Sequence, residues 1–194
     1  WLSLVLALVL GPLTAIASAP DYAAERKKFR KAERHLAQGH RTQFQALLQE
    51  LEHYPLHPYL RYRELRRYLS GTSNQDIARF LDEYHDSPMA PRLRRAWLQH
   101  LAERKRWRDY LAFYTPQSKA ALRCNYHRAL LETGQSRQAL DGLEALWLVG
   151  HSQHAACDPV FDAWRKAGGL TPDLAWQRIG LAMAKRERNL ASYL

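Results

Sequence analysis

Apolar side chains recur at helical spacing along almost the whole chain after residue 20, and this pattern restricts the fold more than any other feature. No segment alternates apolar and polar residues, as a half-buried strand would, over more than four positions. Five stripes have i, i+3, i+4, i+7 or closely related spacing, which predicts helices that pack one face against other helices. The stripes are Phe44, Leu47, Leu48 and Leu51; Ile77, Phe80, Leu81 and Tyr84; Trp107, Tyr110, Leu111 and Tyr114; Leu122, Tyr126, Ala129 and Leu130; and Ala139, Leu140, Leu143 and Trp147. The fold class is therefore predicted to be all-α.

Glycine, proline and capping residues divide the stripes into about ten helices of roughly 10 to 17 residues. Four glycines follow periodic runs and are predicted to end helices in the left-handed conformation. They are Gly39, Gly71, Gly134 and Gly150. Thr72 to Gln75 has the spacing of a capping box ahead of the Ile77 stripe. Asp158-Pro159 and Thr171-Pro172 each place a capping oxygen before a proline, which is typical of a helix start.

Short helices joined by tight turns predict an irregular α-superhelix of stacked antiparallel helix pairs. The segment 125–148 is the part most similar to a tetratricopeptide unit, with small residues and Gly134 at the positions that such a unit requires. No second copy aligns with it at a fixed period of about 34 residues. An irregular array is therefore favoured over a regular repeat.

The first 20 residues contain no Lys, Arg, Asp or Glu. The apolar run Leu2–Leu10 is followed by Gly11-Pro12 and then by small residues, which is typical of a secretory signal peptide. We predict an incomplete signal peptide over 1–19, with cleavage after Ala17 or Ala19, and an exported chain over 20–194. Because the sequence lacks an initiator methionine and its last helical pattern is unfinished, we expect it to be a fragment at both ends.

The chain is basic, with 29 Lys and Arg against 19 Asp and Glu and a formal charge of +10. A well-solvated surface explains this charge, and so does attraction to an anionic partner outside the cytoplasm. Basic clusters with aromatic neighbours at 61–63, 92–95 and 104–108 would suggest nucleic acid in a cytoplasmic protein, but export argues against it. Scattered histidines would add positive charge below about pH 6.5. The mean hydropathy of −0.51 excludes a polytopic membrane protein.

Two groups of residues offer chemistry. Asp82, Glu83, His85 and Asp86 concentrate carboxylates around a histidine, and we interpret them as a solvated charge cluster at a helix end. His151, His154 and Cys157, together with Cys124, have the residue types of a zinc site. Zinc requires reduced cysteines, so a zinc site and a disulfide are alternatives. No phosphate loop, nucleophile elbow or metalloprotease helix is present, and no cofactor is predicted.

The segment Tyr54–Leu60, with two prolines between aromatic residues, is predicted to be a stiff extended link between helices. It resembles the Y-P-L-x-P-Y-L signature of soluble lytic murein transglycosylases, which are periplasmic enzymes of Gram-negative bacteria. Further stretches resemble that family in order and spacing: Trp107-Arg108, Leu111–Phe113, Cys124–Tyr126, Thr133–Ser136, Leu146–Leu148, Gly150, Ser152-Gln153, Ala156–Asp158, Phe161, Trp164 and Arg178–Met183. The resemblance extends from about Tyr22 to the end of the chain.

The resemblance implies that 20–194 is the N-terminal part of a U-shaped α-superhelical domain within a ring scaffold. It implies non-hydrolytic cleavage of the bond between N-acetylmuramic acid and N-acetylglucosamine in peptidoglycan, giving 1,6-anhydromuramic ends. The family's catalytic glutamate lies in a Glu-Ser pair accompanied by Gly-Leu-Met-Gln and Ala-Tyr-Asn-Ala-Gly motifs, and none of these occurs in the 194 residues. The C-terminal catalytic domain is therefore expected to lie outside this chain, which should be inactive alone. The resemblance also implies a disulfide between Cys124 and Cys157.

We therefore predict a periplasmic, monomeric scaffold fragment whose partner is peptidoglycan, with no nucleic acid and no membrane bound by the mature form. Arg104, Lys105 and Arg106 are predicted to form a glycan-facing basic patch. The alternative function is a free-standing periplasmic helical-repeat module that binds proteins. Metal or nucleic-acid binding is a third hypothesis, and it conflicts with the predicted export.

Overall fold

A computed structural model describes residues 21–194, and every regular element in that range is helical. The predicted signal peptide over 1–19 lies outside the described residues. The α-helices are α1 (Ala23–Gln38), α2 (Arg41–Glu50), α3 (His57–Arg67), α4 (Asn74–Glu83), α5 (Met89–Glu103), α6 (Trp107–Phe113), α7 (Ala120–Glu132), α8 (Ser136–Leu140), α9 (Glu144–Trp147), α10 (Asp158–Lys166), α11 (Pro172–Ala184) and α12 (Arg188–Tyr193). Two 3₁₀ turns occupy Leu69–Gly71 and Ala155–Cys157. No helix in this part of the chain is long and apolar enough to cross a bilayer.

The described chain divides into two compact units at the His57–Pro58 bond. In the first unit, α1 and α2 bury one apolar face each, and the face of α2 is the predicted stripe that begins at Phe44. The buried side chains are Phe29, Ala32 and Leu36 from α1 and Phe44, Leu47 and Leu48 from α2. Between the two helices Gly39 has φ +78°, and the N–H groups of Gly39 and His40 donate to the Leu36 and His35 carbonyls. This Schellman-type end confirms the predicted role of Gly39.

The larger core of the second unit is centred on α5. Leu93, Trp97, Leu98 and Leu101 on this helix have no solvent exposure, and they pack with buried residues of α3, α4, α6 and α7. The Tyr110 hydroxyl on α6 donates to the Leu122 carbonyl on α7 at 2.7 Å, which satisfies a buried polar group inside this core. Four of the five predicted stripes are thus confirmed as the packing faces of helices.

The fifth predicted stripe, from Ala139 to Trp147, is wrong as a continuous helix. The structure divides it into α8 and α9, with Asp141 extended and Gly142 at φ +71°. Leu143 and Trp147 are still buried, because α9 resumes the helical spacing after the break. The apolar periodicity correctly predicted the buried face, but it did not predict the break in the helix at Gly142.

Two of the predicted helix ends are displaced by one residue. The side chain of Ser73, not Thr72, accepts from the Asp76 backbone N–H at 3.1 Å and caps α4. Thr72 instead donates its hydroxyl to the Tyr68 carbonyl at 2.9 Å. Asp158 is the first residue of α10 and not its cap, whereas the Thr171 side chain caps α11 as predicted.

The segment Tyr54–Leu60 is not the extended link that its prolines predicted. The His57 N–H donates to the Tyr54 carbonyl at 2.8 Å, which closes a turn, and α3 begins at His57 with Pro58 in its first turn. A proline in the first turn has no hydrogen bond to lose. The same reason explains why Pro91 lies within the first turn of α5 and does not interrupt the chain there.

Gly134 has the predicted left-handed conformation after α7, with φ +84°, but two other predicted caps are wrong. Gly71 belongs to a 3₁₀ turn and Gly150 lies in a packed loop, and neither has positive φ. A Cβ added to Gly150 would overlap the carbonyl oxygen of Leu181 on α11 and would lie 2.8 Å from Lys185 Cγ. Gly150 is therefore required for close contact between this loop and α11.

We predict that Gly150→Ala lowers the free energy of unfolding by about 1 to 3 kcal/mol, because the added methyl group meets backbone and cannot be accommodated by side-chain rotation alone. Urea unfolding followed by circular dichroism measures the change. Gly180→Ala is the matched control, since Gly180 lies on α11 with nothing within 4 Å of an added Cβ. It should be neutral or stabilising by up to about 1 kcal/mol through helix propensity. Equal stability of the two variants would contradict the packing role of Gly150.

Candidate functional site

The two cysteines form a disulfide, as the resemblance implied. Cys124 on α7 and Cys157 at the end of a 3₁₀ turn are both fully buried, and their Cα atoms are 4.8 Å apart. The bond joins α7 to the start of α10 across 33 residues of sequence. Leu143, Trp147 and Phe161 pack around it to form the second apolar cluster of this unit.

The zinc interpretation fails for these residues because both sulfurs are used in the disulfide. The two histidines of that motif have local roles. His154 Nδ1 accepts from the Ala156 backbone N–H at 3.0 Å, and His151 Nδ1 donates to the Ser152 carbonyl at 3.0 Å. Within residues 21–194, no group of three or more His, Cys, Asp or Glu is placed to hold a metal ion.

The acidic cluster at the end of α4 is solvated, as predicted. His85 Nδ1 donates to the Asp82 carbonyl at 2.9 Å, and His85 Nε2 lies 3.2 Å from the Asp86 carboxylate. The side chains of His85 and Asp86 are 70% and 92% exposed. Such exposure gives neither the burial nor the fixed geometry that an acid–base site needs.

The predicted basic patch occupies the turn between α5 and α6, where all three side chains are exposed. The Arg106 side chain makes two hydrogen bonds within the protein. Its Nε donates to the Asp109 carboxylate at 2.8 Å, and its Nη2 donates to the Asn74 side-chain oxygen at 3.0 Å. Its guanidinium carbon also lies 5.7 Å from the centroid of the Trp97 ring. Arg104 and Lys105 have none of these contacts, and their charges face solvent. The backbone of Lys105 is in the left-handed region, with φ +53°.

A second group of basic side chains surrounds a cleft of about 260 Å³. This group was not predicted from the sequence. Arg66 comes from α3, Arg92 and Arg95 from α5, and Lys119 from the N-terminal cap of α7. The sequence placed basic clusters at 61–63 and 92–95 but gave no indication that Arg66 of α3 would line the same cleft as Arg92 and Arg95 of α5. We call this feature the basic cleft.

Arg178, which belongs to one of the stretches that resemble the family, is a buried cation. Its guanidinium carbon lies 4.0 Å from the centroid of the Trp147 ring, and Nη2 donates to the His151 carbonyl at 3.4 Å. Burial lowers the pKa of Arg178 below its usual value. In the described part of the chain its Nε has no hydrogen-bond partner. The side chain ties α11 to α9 and the following loop, beside a cavity of about 710 Å³ that Phe161 and Leu190 also line.

Three histidines gain positive charge at lower pH than their ordinary values suggest. Burial is the largest cause that lowers the pKa of His35, of His100 and of His127. His127 Nδ1 donates to the Ala139 carbonyl at 2.8 Å, and this bond partly offsets the effect of burial. These three histidines therefore do not contribute to the expected rise in positive charge just below about pH 6.5. They become protonated only at lower pH.

The fold and its disulfide define a class: an all-α scaffold of short stacked helices. No protein-family model matches the chain. The soluble lytic murein transglycosylase of Escherichia coli strain K12 is 31% identical over 196 aligned positions, covering all of this chain and 30% of that protein. Its counterpart from Salmonella typhimurium is 36% identical over 146 positions, covering 74% of this chain and 22% of the relative.

Solved structures give the same result. The crystal structure of the 70 kDa soluble lytic transglycosylase Slt70 from Escherichia coli matches with a TM-score of 0.82 and 30% identity, covering 90% of this chain and 28% of that one. The lytic transglycosylase Slt from Pseudomonas aeruginosa, solved as an inactive mutant, matches with a TM-score of 0.77 and 38% identity over 87% of this chain. The chain is a homologue of the soluble lytic murein transglycosylases and shares their helical superhelix fold. It spans 30% of the length of the Escherichia coli relative and 22% of the length of the Salmonella typhimurium relative.

We predict that replacing both cysteines, Cys124→Ala with Cys157→Ala, lowers the free energy of unfolding by about 3 to 4 kcal/mol, because the denatured chain loses a closed loop. Denaturant unfolding with and without a thiol reductant measures this. The reductant should destabilise the unmodified protein and leave the double variant unchanged. Equal stability of the oxidised and reduced protein would contradict a structural role for the bond.

We predict that the protein loses stability as the pH falls below about 6.5, in part through His127. The pKa of His127 is lower in the folded chain than in the unfolded chain. The unfolded state therefore binds more protons in this range, and the stability gained from a neutral His127 disappears as the pH decreases. His127→Gln, which can still donate to the Ala139 carbonyl, should reduce the difference in unfolding free energy between about pH 7.5 and about pH 5. An unchanged pH dependence would show that His127 does not contribute.

Proposed function

We propose that this chain is the N-terminal scaffold segment of a periplasmic lytic murein transglycosylase. The observation that carries the proposal is the match to the Escherichia coli enzyme, along the whole chain in sequence and over 90% of it in fold. The parent protein would cleave the bond between N-acetylmuramic acid and N-acetylglucosamine and form 1,6-anhydromuramic ends. Catalysis would depend on a domain outside these 194 residues, and the chain would reach the periplasm through the signal peptide predicted over 1–19.

Exposed apolar side chains on the last two helices support a longer scaffold. Trp176 and Met183 on α11 are 71% and 59% exposed, and Tyr193 on α12 is 84% exposed. Soluble proteins seldom leave large aromatic and thioether groups clustered on a free surface. We infer that further helices of the same polypeptide cover them, as α1 and α2 cover each other's apolar faces.

The scaffold would also contact the substrate. We propose that Arg104 and Lys105 face glycan, whereas Arg106 in the same patch holds the turn between α5 and α6 against α4. Surface cations attract a polymer that bears carboxylates over about 8 to 10 Å at moderate ionic strength. The mature protein would act as a monomer on peptidoglycan.

The test compares this chain with the same reading frame extended to its natural stop, both incubated with purified peptidoglycan, with product masses measured by mass spectrometry. The extended chain should release anhydromuropeptides, and the 194-residue chain should release none. An extended chain in which the glutamate of the Glu-Ser motif is replaced by glutamine is the matched control and should also be inactive. No products from the extended chain would contradict the proposal and favour a protein-binding module. Hydrolysed reducing ends would contradict the non-hydrolytic reaction and identify a glycan hydrolase instead.

A further inference from the structure

The basic cleft has the composition of a site for an anion. Arg66, Arg92, Arg95 and Lys119 surround it, and no acidic side chain lines it in the described part of the chain. Gathering four positive charges is unfavourable unless an anion or solvent compensates them. An acidic ligand that enters the cleft would reduce this repulsion and gain charge-assisted hydrogen bonds.

Neighbouring arginines show that the cleft residues are distinct from structural ones. Arg61, five residues before Arg66 on α3, pairs with the buried Glu64 at 2.8 Å. Arg94, between the two cleft arginines of α5, donates to the Phe113 carbonyl at 3.0 Å. Arg92 and Arg95 instead face the cleft. The run 92–95 therefore divides into one arginine that fixes α5 against the end of α6 and two that line the cleft.

The cleft has a rigid frame because its side chains arise from packed helices. Leu65 beside Arg66 on α3, Leu93 and Ala96 on α5, and Leu122 on α7 are all buried. Helical positions hold ligand-binding groups more accurately than loops do. The half-buried Tyr62 and the exposed Gln99 add neutral hydrogen-bonding groups to the wall.

The dimensions and the side chains restrict the ligand. About 260 Å³ is less than the usual volume of a site that encloses a whole small molecule, so the cleft fits an acidic group carried by a larger polymer. The planar guanidinium groups of Arg66, Arg92 and Arg95 match the two oxygens of a carboxylate. We propose that the basic cleft binds the carboxylates of peptidoglycan stem peptides. This identification of the ligand rests on the proposed function.

The test measures cosedimentation of the protein with purified peptidoglycan sacculi at low salt. The cleft variant carries Arg66→Glu with Arg92→Glu, two exposed positions at the rim, and the matched control carries Arg30→Glu with Arg34→Glu on the exposed side of α1. We expect the cleft variant to bind at least about fivefold more weakly and the control to change less than about twofold. Circular dichroism establishes that both variants are folded.

A chemical control identifies the anion. Sacculi whose carboxyl groups are converted to neutral amides keep their glycan strands, and they should bind the unmodified protein as weakly as the cleft variant binds untreated sacculi. Equal losses in the cleft and control variants would overturn the site in favour of general charge attraction. Unchanged binding to amidated sacculi would overturn carboxylates as the ligand. Tighter binding to phosphatidylglycerol vesicles than to sacculi would assign the cleft to phosphate.

A soluble probe separates this proposal from the proposed function. Poly-glutamate carries carboxylates without sugar, and the cleft variant should bind it more weakly than the control variant does. If this difference is found while the extended chain releases no anhydromuropeptides, the carboxylate site holds and the transglycosylase assignment fails. If anhydromuropeptides are released while both variants bind poly-glutamate and sacculi equally, the site fails and the assignment holds.

Discussion

Burial of Trp97 and the leucines beside it on α5 is the interaction on which the second unit depends. Leu93, Trp97, Leu98 and Leu101 are inaccessible to solvent, and the helices around α5 bury their own stripes against them. Removing one such aromatic side chain from a core typically costs about 3 to 5 kcal/mol, which is a large part of a domain's stability. The helices here have 4 to 16 residues, and segments of this length are marginal in water without tertiary contacts.

The same helix connects the core to the candidate binding surface. One face of α5 contributes the buried apolar residues, and another presents Arg92 and Arg95 to the basic cleft. Arg106, just after α5, contacts the Trp97 ring and reaches Asn74 at the start of α4. The C-terminal part of the unit depends on other devices, because α8 and α9 are only one turn each. There the Cys124–Cys157 bond and the stack of Arg178 on Trp147 hold the short helices.

Much of the fold could be predicted from the sequence because the position of a helix and its buried face depend mainly on residues close together in the sequence. A period of 3.6 residues identified the buried faces of α2, α4, α6 and α7, including Phe44 and Ile77, which are fully buried. Errors arose where two local choices compete. Thr72 and Ser73 can both cap a helix, and only the actual backbone conformation selects Ser73. Gly150 was wrongly predicted to be a helix cap. Its small size instead allows close contact with Leu181 on α11, which is 31 positions later in the sequence, so no local pattern reveals it.

The candidate site could be predicted only in part, for the same reason. The family resemblance paired Cys124 with Cys157, and the structure confirms that pair. The three adjacent cations at 104–106 were predicted to form one binding patch, but Arg106 instead stabilises the turn between α5 and α6. The four cations of the basic cleft are spread over 54 positions, from Arg66 to Lys119, and only the packing of α3, α5 and α7 brings them together.

Hydrogen exchange of the backbone amides, followed by mass spectrometry under native conditions, tests most directly whether α5 organises this scaffold. We predict that exchange is slowest in α5 and in the parts of α4, α6 and α7 that pack on it, as one cooperative unit. Reduction of the disulfide should accelerate exchange in α8, α9 and the start of α10 before it affects α5. Exchange in α5 as fast as in α12, or slowest exchange in the segment around the disulfide, would contradict the organising role of α5.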